Sequence, residues 1–266
     1  MAQARFSTVA AVADGFDFWR RDGLKAAGPL AVAAAAGAAA ALQPDLQAAT
    51  PYLAANVAAG VMAQAALYRI ALKDAGGAPQ PPNGPLGLQW RGLETRLIGL
   101  LLAAGLLLFA YVFVVSFAVA LLVLPFGGLA PAPDGATPDQ ILAGLSPAAR
   151  LAFNLGIVAS IAGLVVLAAR LSIAWPATAA DGRIRFWSVF RLTRGSTAAI
   201  LGAVLLVNLP VFAIQGLAWA YGQFAGAESG RWADIVGRAI ATFYFVPIFV
   251  GMTSHIYLRL REAAPR

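Results

Sequence analysis

Residues able to carry out nucleophilic or acid–base chemistry are scarce in this chain. The sequence has one histidine, His255, and no cysteine. A hydrolase needs a hydroxyl, a base and an orienting acid within reach of one another, but Ser254 and His255 are neighbours and point in different directions on a helix. A metal site made from one histidine, without cysteine or an intramembrane carboxylate, is not expected either. We therefore predict no catalytic residue, no metal ion, no cofactor and a non-enzymatic role.

A second group of residues suits the binding of phosphate. Arg170 lies close to the end of a long apolar run, and more arginines follow within 25 residues. Guanidinium groups bind phosphate through two parallel hydrogen bonds, so a lipid headgroup is a plausible ligand. The simpler alternative is that Arg170 extends to the membrane surface only to hydrate its charge. The predicted contacts with lipid headgroups are Arg170, Arg183, Arg185, Arg191 and Arg194.

A third group is polar or helix-breaking and falls within apolar runs. A proline inside a helix removes one backbone hydrogen bond and favours a kink. Broken helices near the middle of a membrane form substrate sites in transporters, but the same residues also serve as packing contacts between helices. The predicted polar cleft between the fifth and sixth helices consists of Asn208, Pro210, Tyr244 and Pro247.

The composition indicates which elements must position these residues. The chain has 266 residues, of which 60% are hydrophobic and 12% charged, whereas soluble domains have about 25% charged residues. Apolar runs of about 18 residues or more predict membrane-spanning helices. Thr50–Pro51 and Ser146–Pro147 each have the pattern of an N-cap residue followed by a proline at the first helical position. We predict an all-α protein with six transmembrane helices, at Ala27–Leu42, Pro51–Leu72, Leu97–Leu124, Leu151–Ala174, Thr197–Ala218 and Val236–Leu258.

The distribution of charge predicts the orientation of these helices. With the N-terminus in the cytoplasm, 16 of the 19 basic residues fall on the cytoplasmic side. The positive-inside rule therefore predicts that both termini are cytoplasmic and that residues 126–150 form an outside loop. The net charge of +7 follows from this topology, and we expect no binding of nucleic acid. The predicted location is a bacterial inner membrane.

Two segments have the pattern of amphipathic interfacial helices, with aromatic and basic residues on different faces. They are Ser7–Arg21, within a cytoplasmic segment of residues 1–25, and Arg183–Arg194.

Small residues crowd the first two predicted spans and favour close helix packing. The stretches Ala13–Arg20 and Ala180–Trp187 resemble each other, which indicates either a repeated helical hairpin or similar constraints at each cytoplasmic entry to the membrane. We treat residues 27–258 as one six-helix bundle in a single membrane domain.

Two stretches carry a resemblance to known proteins. They are Ala169–Thr178 and Phe186–Gly195, with the start of the chain, Arg5-Phe6-Ser7 leading to Phe18-Trp19-Arg20-Arg21, as further support. The pattern resembles uncharacterised multi-pass inner-membrane proteins of alphaproteobacteria. It is more distantly similar to the membrane domain that accompanies some glycerophosphodiester phosphodiesterases. The resemblance implies a membrane location next to lipid and no enzymatic activity, because the phosphodiesterase activity belongs to a separate soluble barrel.

Together these observations predict an integral membrane protein with a structural or accessory role. Its expected partners are membrane lipids and either another membrane protein or further copies of itself. The alternative is a small permease or lipid-handling transporter that uses the polar cleft. The sequence does not identify a substrate.

Overall fold

The computed structural model describes residues 6–73, 84, 87–126, 140 and 144–263. These residues are predominantly helical and include no strand, which confirms the all-α prediction. Six helical segments are long and apolar enough to cross a membrane, and they confirm the number of predicted spans. They are Thr8–Ala41, Leu46–Ala71, Gly92–Phe126, Pro147–Asp181, Thr197–Phe224 and Ser229–Glu262.

The first of these segments consists of two helices joined by a short 3-10 turn. Helix α1 is Thr8–Asp22, the turn is Gly23–Ala26, and helix α2 is Ala27–Ala41. Ser7 caps α1 by accepting a hydrogen bond from the Ala10 backbone N–H, at 3.4 Å. The first predicted span matches α2, and the predicted amphipathic segment forms α1.

Helix α3 is Leu46–Ala71 and begins earlier than we predicted. The sequence suggested that Thr50 and Pro51 start the second span. Instead, the Asp45 carboxylate accepts a hydrogen bond from the Ala48 backbone N–H at 2.8 Å, so Asp45 is the N-cap and Pro51 lies within the helix. A carboxylate is a strong N-cap. Pro51 is the sixth residue of the helix, so it lacks the N–H that would otherwise bond to the Gln47 carbonyl oxygen.

Helix α4 is Gly92–Val123, followed by a 3-10 turn at Leu124–Phe126, and helix α5 is Pro147–Leu171. The Ser146 hydroxyl accepts a hydrogen bond from the Ala149 backbone N–H at 3.2 Å, which confirms the predicted start of α5. Most of the predicted outside loop, residues 126–150, lies outside the described residues.

The rest of the chain forms helix α6, Ala174–Asp181, helix α7, Ser188–Leu192, helix α8, Thr197–Ala225, and helix α9, Ala227–Glu262. Helices α8 and α9 continue through Pro210 and Pro247, so neither proline ends its helix. Helix α6 ends at Gly182, whose φ of +62° is a left-handed conformation that favours glycine.

The described helices belong to two compact units, Met1–Leu101 with Ala169–Arg266, and Leu102–Ala168. In the first unit α1 lies antiparallel along α9. Asp14 pairs with His255, Trp19 contacts Tyr244, and Gly23 faces Pro247. The core of this unit includes Leu67, Tyr68, Leu97, Leu100, Ile248, Met252, Ile256 and Leu260.

Helix α1 packs closely along α9. A Cβ atom on Gly15 would lie 2.7 Å from the Ile248 carbonyl oxygen, and one on Gly251 would lie 2.7 Å from the Phe18 Cβ atom. The absence of a side chain at both positions therefore allows α1 and α9 to approach closely. Helix α1 packs lengthwise on another helix and is part of the first candidate span.

The second unit is a helical hairpin made from parts of α4 and α5. Its small core is formed by Val119, Val123 and Ala149. The Tyr111 hydroxyl donates a hydrogen bond to the Ser160 carbonyl oxygen at 3.1 Å, and Gly156 lies against Val119. Small residues thus bring the two helices together here as well, while many large apolar side chains of the hairpin stay exposed.

The two stretches that resemble each other in sequence have different conformations. Ala13–Arg20 lies entirely within α1, and its Gly15 is helical. The matching Gly182 instead ends α6, and the residues after it are not helical. The shared sequence pattern therefore does not encode a shared local structure.

Candidate functional site

Arg170 is held by the protein itself. Its Nε donates a hydrogen bond to Thr193 Oγ1 at 2.9 Å, and its Nη2 donates to the Phe190 carbonyl oxygen. The guanidinium carbon also lies 5.2 Å from the centre of the Phe190 ring, a distance typical of a cation–π contact. Arg170 thus fastens α7 and the residue after it to the end of α5.

The four arginines that follow differ in their surroundings. Arg185 is partly buried, and its Nε donates to Asp181 Oδ2 at 2.6 Å. Arg183, Arg191 and Arg194 are exposed. The predicted basic belt therefore separates into two tethered arginines, Arg170 and Arg185, and three that are accessible to a ligand.

The predicted amphipathic helix over Arg183–Arg194 is shorter than expected, since only Ser188–Leu192 is helical. The Arg185 backbone N–H donates to Thr178 Oγ1 at 3.1 Å. Together with the Arg185–Asp181 ion pair, this bond folds the chain back onto α6, so residues 183–187 do not continue a helix. Ile184 and Trp187 stay exposed next to the accessible arginines, as an aromatic-basic surface does at a headgroup layer.

Two of the four residues of the predicted polar cleft, Tyr244 and Pro247, pack against α1. The Asn208 amide donates to the Val204 carbonyl oxygen of its own helix at 2.7 Å. Tyr244 packs edge-on against Phe16 and Trp19, and Pro247 lies next to Gly23. Tyr244 and Pro247 therefore face α1, and none of the four lines a cavity described here.

His255 is paired with a carboxylate that the sequence analysis did not consider. Its Nδ1 contacts Asp14 Oδ2, so this pair joins α1 to α9. The neighbouring Ser254 hydroxyl is buried, and within the described residues it has no hydrogen-bond partner. Among the described residues, no group of three or more histidine and carboxylate side chains is placed to hold a metal ion.

A buried ion pair is the main feature that the sequence analysis missed. Arg69 in α3 and Glu94 in α4 lie 2.6 Å apart, from Nη2 to Oε1, with side chains that are 3% and 0% exposed. Glu94 Oε2 also accepts the Arg91 backbone N–H at 2.8 Å. The Arg69 Nε and Nη1 atoms are buried without a partner in the described part of the chain. The predicted topology placed Arg69 at the cytoplasmic end of the second span, Pro51–Leu72, and Glu94 in the segment that follows, and it did not predict that they pair.

A polar cavity was also missed. Its volume is about 520 Å³, and it lies where α2 and α3 meet α8 and α9. Its polar lining residues are Asn56, Gln215, Asp234, Arg238 and Thr242. The only sequence signal was the spacing of Asp234, Arg238 and Thr242, which places the three side chains on one face of a helix at intervals of four.

Hydrogen bonds fix the polar side chains on two sides of the cavity, one formed by α2 and α3 and the other by α9. The Asn56 Nδ2 atom donates to the Ala33 carbonyl oxygen at 2.6 Å, which joins α3 to α2, as the small residues predicted. Arg238 Nε donates to Asp234 Oδ2 at 2.8 Å, and the Thr242 hydroxyl donates to the Arg238 carbonyl oxygen at 2.9 Å. The cavity therefore combines an ion pair and two amides with walls of small apolar residues.

Comparisons of the chain with protein-family models, with curated proteins and with solved structures found no match.

Proposed function

We propose that this chain is a non-enzymatic integral membrane protein with a structural or accessory role, which packs with lipid or with a larger membrane complex. The uncovered hairpin carries this proposal. In Gly92–Phe126 and Pro147–Asp181, 11% and 0% of the apolar stretch is buried within the chain, compared with 44% in Leu46–Ala71. Such a surface requires acyl chains or another membrane protein against it.

The proposed location is a bacterial inner membrane, with both termini in the cytoplasm. Support comes from the excess of basic residues on one side of the six candidate spans. The exposed arginines Arg183, Arg191 and Arg194, beside Trp187, fit contact with anionic headgroups.

The accessory role can be tested by purifying the tagged full chain in nanodiscs and identifying the co-purified proteins and lipids by mass spectrometry. We expect a stoichiometric membrane-protein partner or a second copy of the chain. The double variant Phe109→Ala/Phe113→Ala on the exposed face of α4 should lose that partner. The matched control is Leu209→Ala/Phe212→Ala, which changes an exposed face of α8. A monomeric chain without a protein partner would contradict an accessory role.

The second candidate function is that of a small permease or lipid-handling transporter. The polar cavity between α2, α3, α8 and α9 supports it, because ligand sites commonly occupy about 300–1,000 Å³ and combine apolar walls with a few polar groups. Reconstitution into liposomes that contain a fluorescent lipid would test this function through the rate at which the lipid crosses the bilayer. A rate equal to that of protein-free liposomes would count against lipid translocation.

A further inference from the structure

The polar cavity has a charge pattern that selects among ligands. Asp234 and Arg238 lie one helical turn apart on α9, and their side chains are 41% and 62% exposed. Their ion pair uses only Arg238 Nε and Asp234 Oδ2. Within the described residues, the two terminal amino groups of Arg238 and the second oxygen of Asp234 have no protein partner. A positively charged hydrogen-bond donor, the Arg238 guanidinium, and a negatively charged acceptor, the Asp234 carboxylate, are therefore available side by side.

This arrangement disfavours a ligand of single charge. An anion bound by Arg238 would lie next to the Asp234 carboxylate, and a cation bound by Asp234 would lie next to the Arg238 guanidinium. Like charges at such short range repel each other. A ligand that carries both charges avoids this repulsion and can bind both side chains at once.

The remaining walls fit a compact polar group with a short carbon linker. Asn56 and Gln215 bring amide groups to the cavity, and Thr242 brings a hydroxyl oxygen. Opposite them, Ala33, Gly37 and Ala40 of α2 present small apolar surfaces. A Cβ atom on Gly37 would lie only 3.0 Å from Asn56 Nδ2, so the glycine leaves room for the amide that joins α2 to α3.

We propose that this cavity binds a zwitterion in which an ammonium group is joined to a phosphate by a short linker. The ammonium group binds the Asp234 carboxylate, and the phosphate oxygens bind the terminal amino groups of Arg238. The same chemistry occurs in the headgroup of phosphatidylethanolamine and in free phosphoethanolamine. This inference rests on the second candidate function, that of a transporter, in that both use the same cavity. It adds the chemical class of the ligand.

Native mass spectrometry of the full chain would test the proposal, with phosphatidylethanolamine and phosphatidylglycerol of identical acyl chains as probes. We expect about tenfold preferential retention of phosphatidylethanolamine, as charge-assisted hydrogen bonds produce. Asp234→Asn should abolish the preference, and Arg238→Gln should lower retention of both lipids. The matched control is Arg259→Gln, which breaks an exposed ion pair with Glu262 on the same helix and outside the cavity.

Two further measurements make the outcome decisive. Ala241→Leu narrows the cavity without changing its charge and should lower retention, while thermal unfolding checks that each variant is folded. Competition by free phosphoethanolamine would show that the headgroup alone suffices, and retention without competition would show that the lipid itself is the ligand. Equal retention of the two lipids by the native chain, or cavity variants that behave like Arg259→Gln, would overturn the proposal. Retention without lipid translocation would support the binding site and reject only the transporter role.

Discussion

The Arg69 guanidinium and the Glu94 carboxylate lie 2.6 Å apart, and their side chains are almost completely enclosed by protein. Glu94 has a second task, since it accepts the backbone N–H of Arg91 at the start of α4. A buried pair of this kind is stable only while both partners are present, because either charge alone would be left without water or a counter-charge. The pair therefore ties the end of α3 to the beginning of α4.

The stability of the first unit should depend on this pair in a non-additive way. We expect Glu94→Leu or Arg69→Met alone to lower the free energy of unfolding by about 3–5 kcal/mol, because each leaves one buried charge uncompensated. The double variant should recover most of this loss. Thermal unfolding of the purified variants in one detergent measures the three effects, and additive losses would contradict the coupling.

Arg170 should act as a tether for α7. In Arg170→Met, which loses the bonds to Thr193 and Phe190, we expect the backbone amides of residues 188–196 to exchange hydrogen about tenfold faster or more. Arg183→Met is the control, since Arg183 is exposed. Hydrogen–deuterium exchange followed by mass spectrometry provides the measurement. Unchanged exchange together with loss of bound anionic lipid would favour the alternative, that Arg170 contacts headgroups.

Even a methyl side chain at Gly15 should lower the stability of the protein. Gly15→Ala places a Cβ atom 2.7 Å from the Ile248 carbonyl oxygen, so α1 and α9 must separate, at a cost of about 1–3 kcal/mol. Gly60→Ala is the matched control, because nothing lies within 4 Å of a Cβ atom at that helical position. That change should stabilise the chain by up to about 1 kcal/mol. Equal melting temperatures for the two variants would contradict the close approach of α1 to α9.

The predicted topology can be mapped with single cysteines, because the natural sequence has none. We expect a membrane-impermeant maleimide added from the cytoplasmic side to label Ala263→Cys and to leave Ala148→Cys unlabelled. Labelling from the opposite side should give the reverse pattern. Labelling of both positions from one side would overturn the orientation in which the C-terminus is cytoplasmic.

Hydrophobicity and helix-start chemistry predicted much of the architecture. The six predicted spans lie largely inside the corresponding helices, because a long apolar run has few alternatives to a helix in a membrane. Ser146 was correctly identified as a cap, whereas Asp45 was overlooked in favour of Thr50. The packing of α1 was not predicted, since the charges of its sequence gave no sign that its apolar face packs on α9.

The functional surfaces were harder to predict, because they depend on which helices become neighbours. Arg69 and Glu94 are 25 residues apart in sequence, and nothing local indicates that they pair inside the protein. Asn56 and Arg238 line the same cavity because α3 and α9 are neighbours in the folded chain, although they are far apart in the sequence. In contrast, residue type alone suggested that Asn208 and Pro210 of α8 belong to a polar cleft, although the Asn208 amide donates its hydrogen bond within its own helix.

The pairing of α1 with α9 has a consequence for how the chain is made. The Tyr68 hydroxyl and Thr253 Oγ1 form a hydrogen bond between residues that are 185 positions apart in the sequence. Asp14 and His255, which also pair, are even further apart in the sequence. During synthesis α1 leaves the ribosome well before α9 is made, so Gly15 and Phe18 lack their α9 contacts during that interval. The hairpin of α4 and α5, in contrast, forms contacts between segments that are neighbours in the sequence. The pairing of α1 with α9 can therefore be completed only when the last helix has been made.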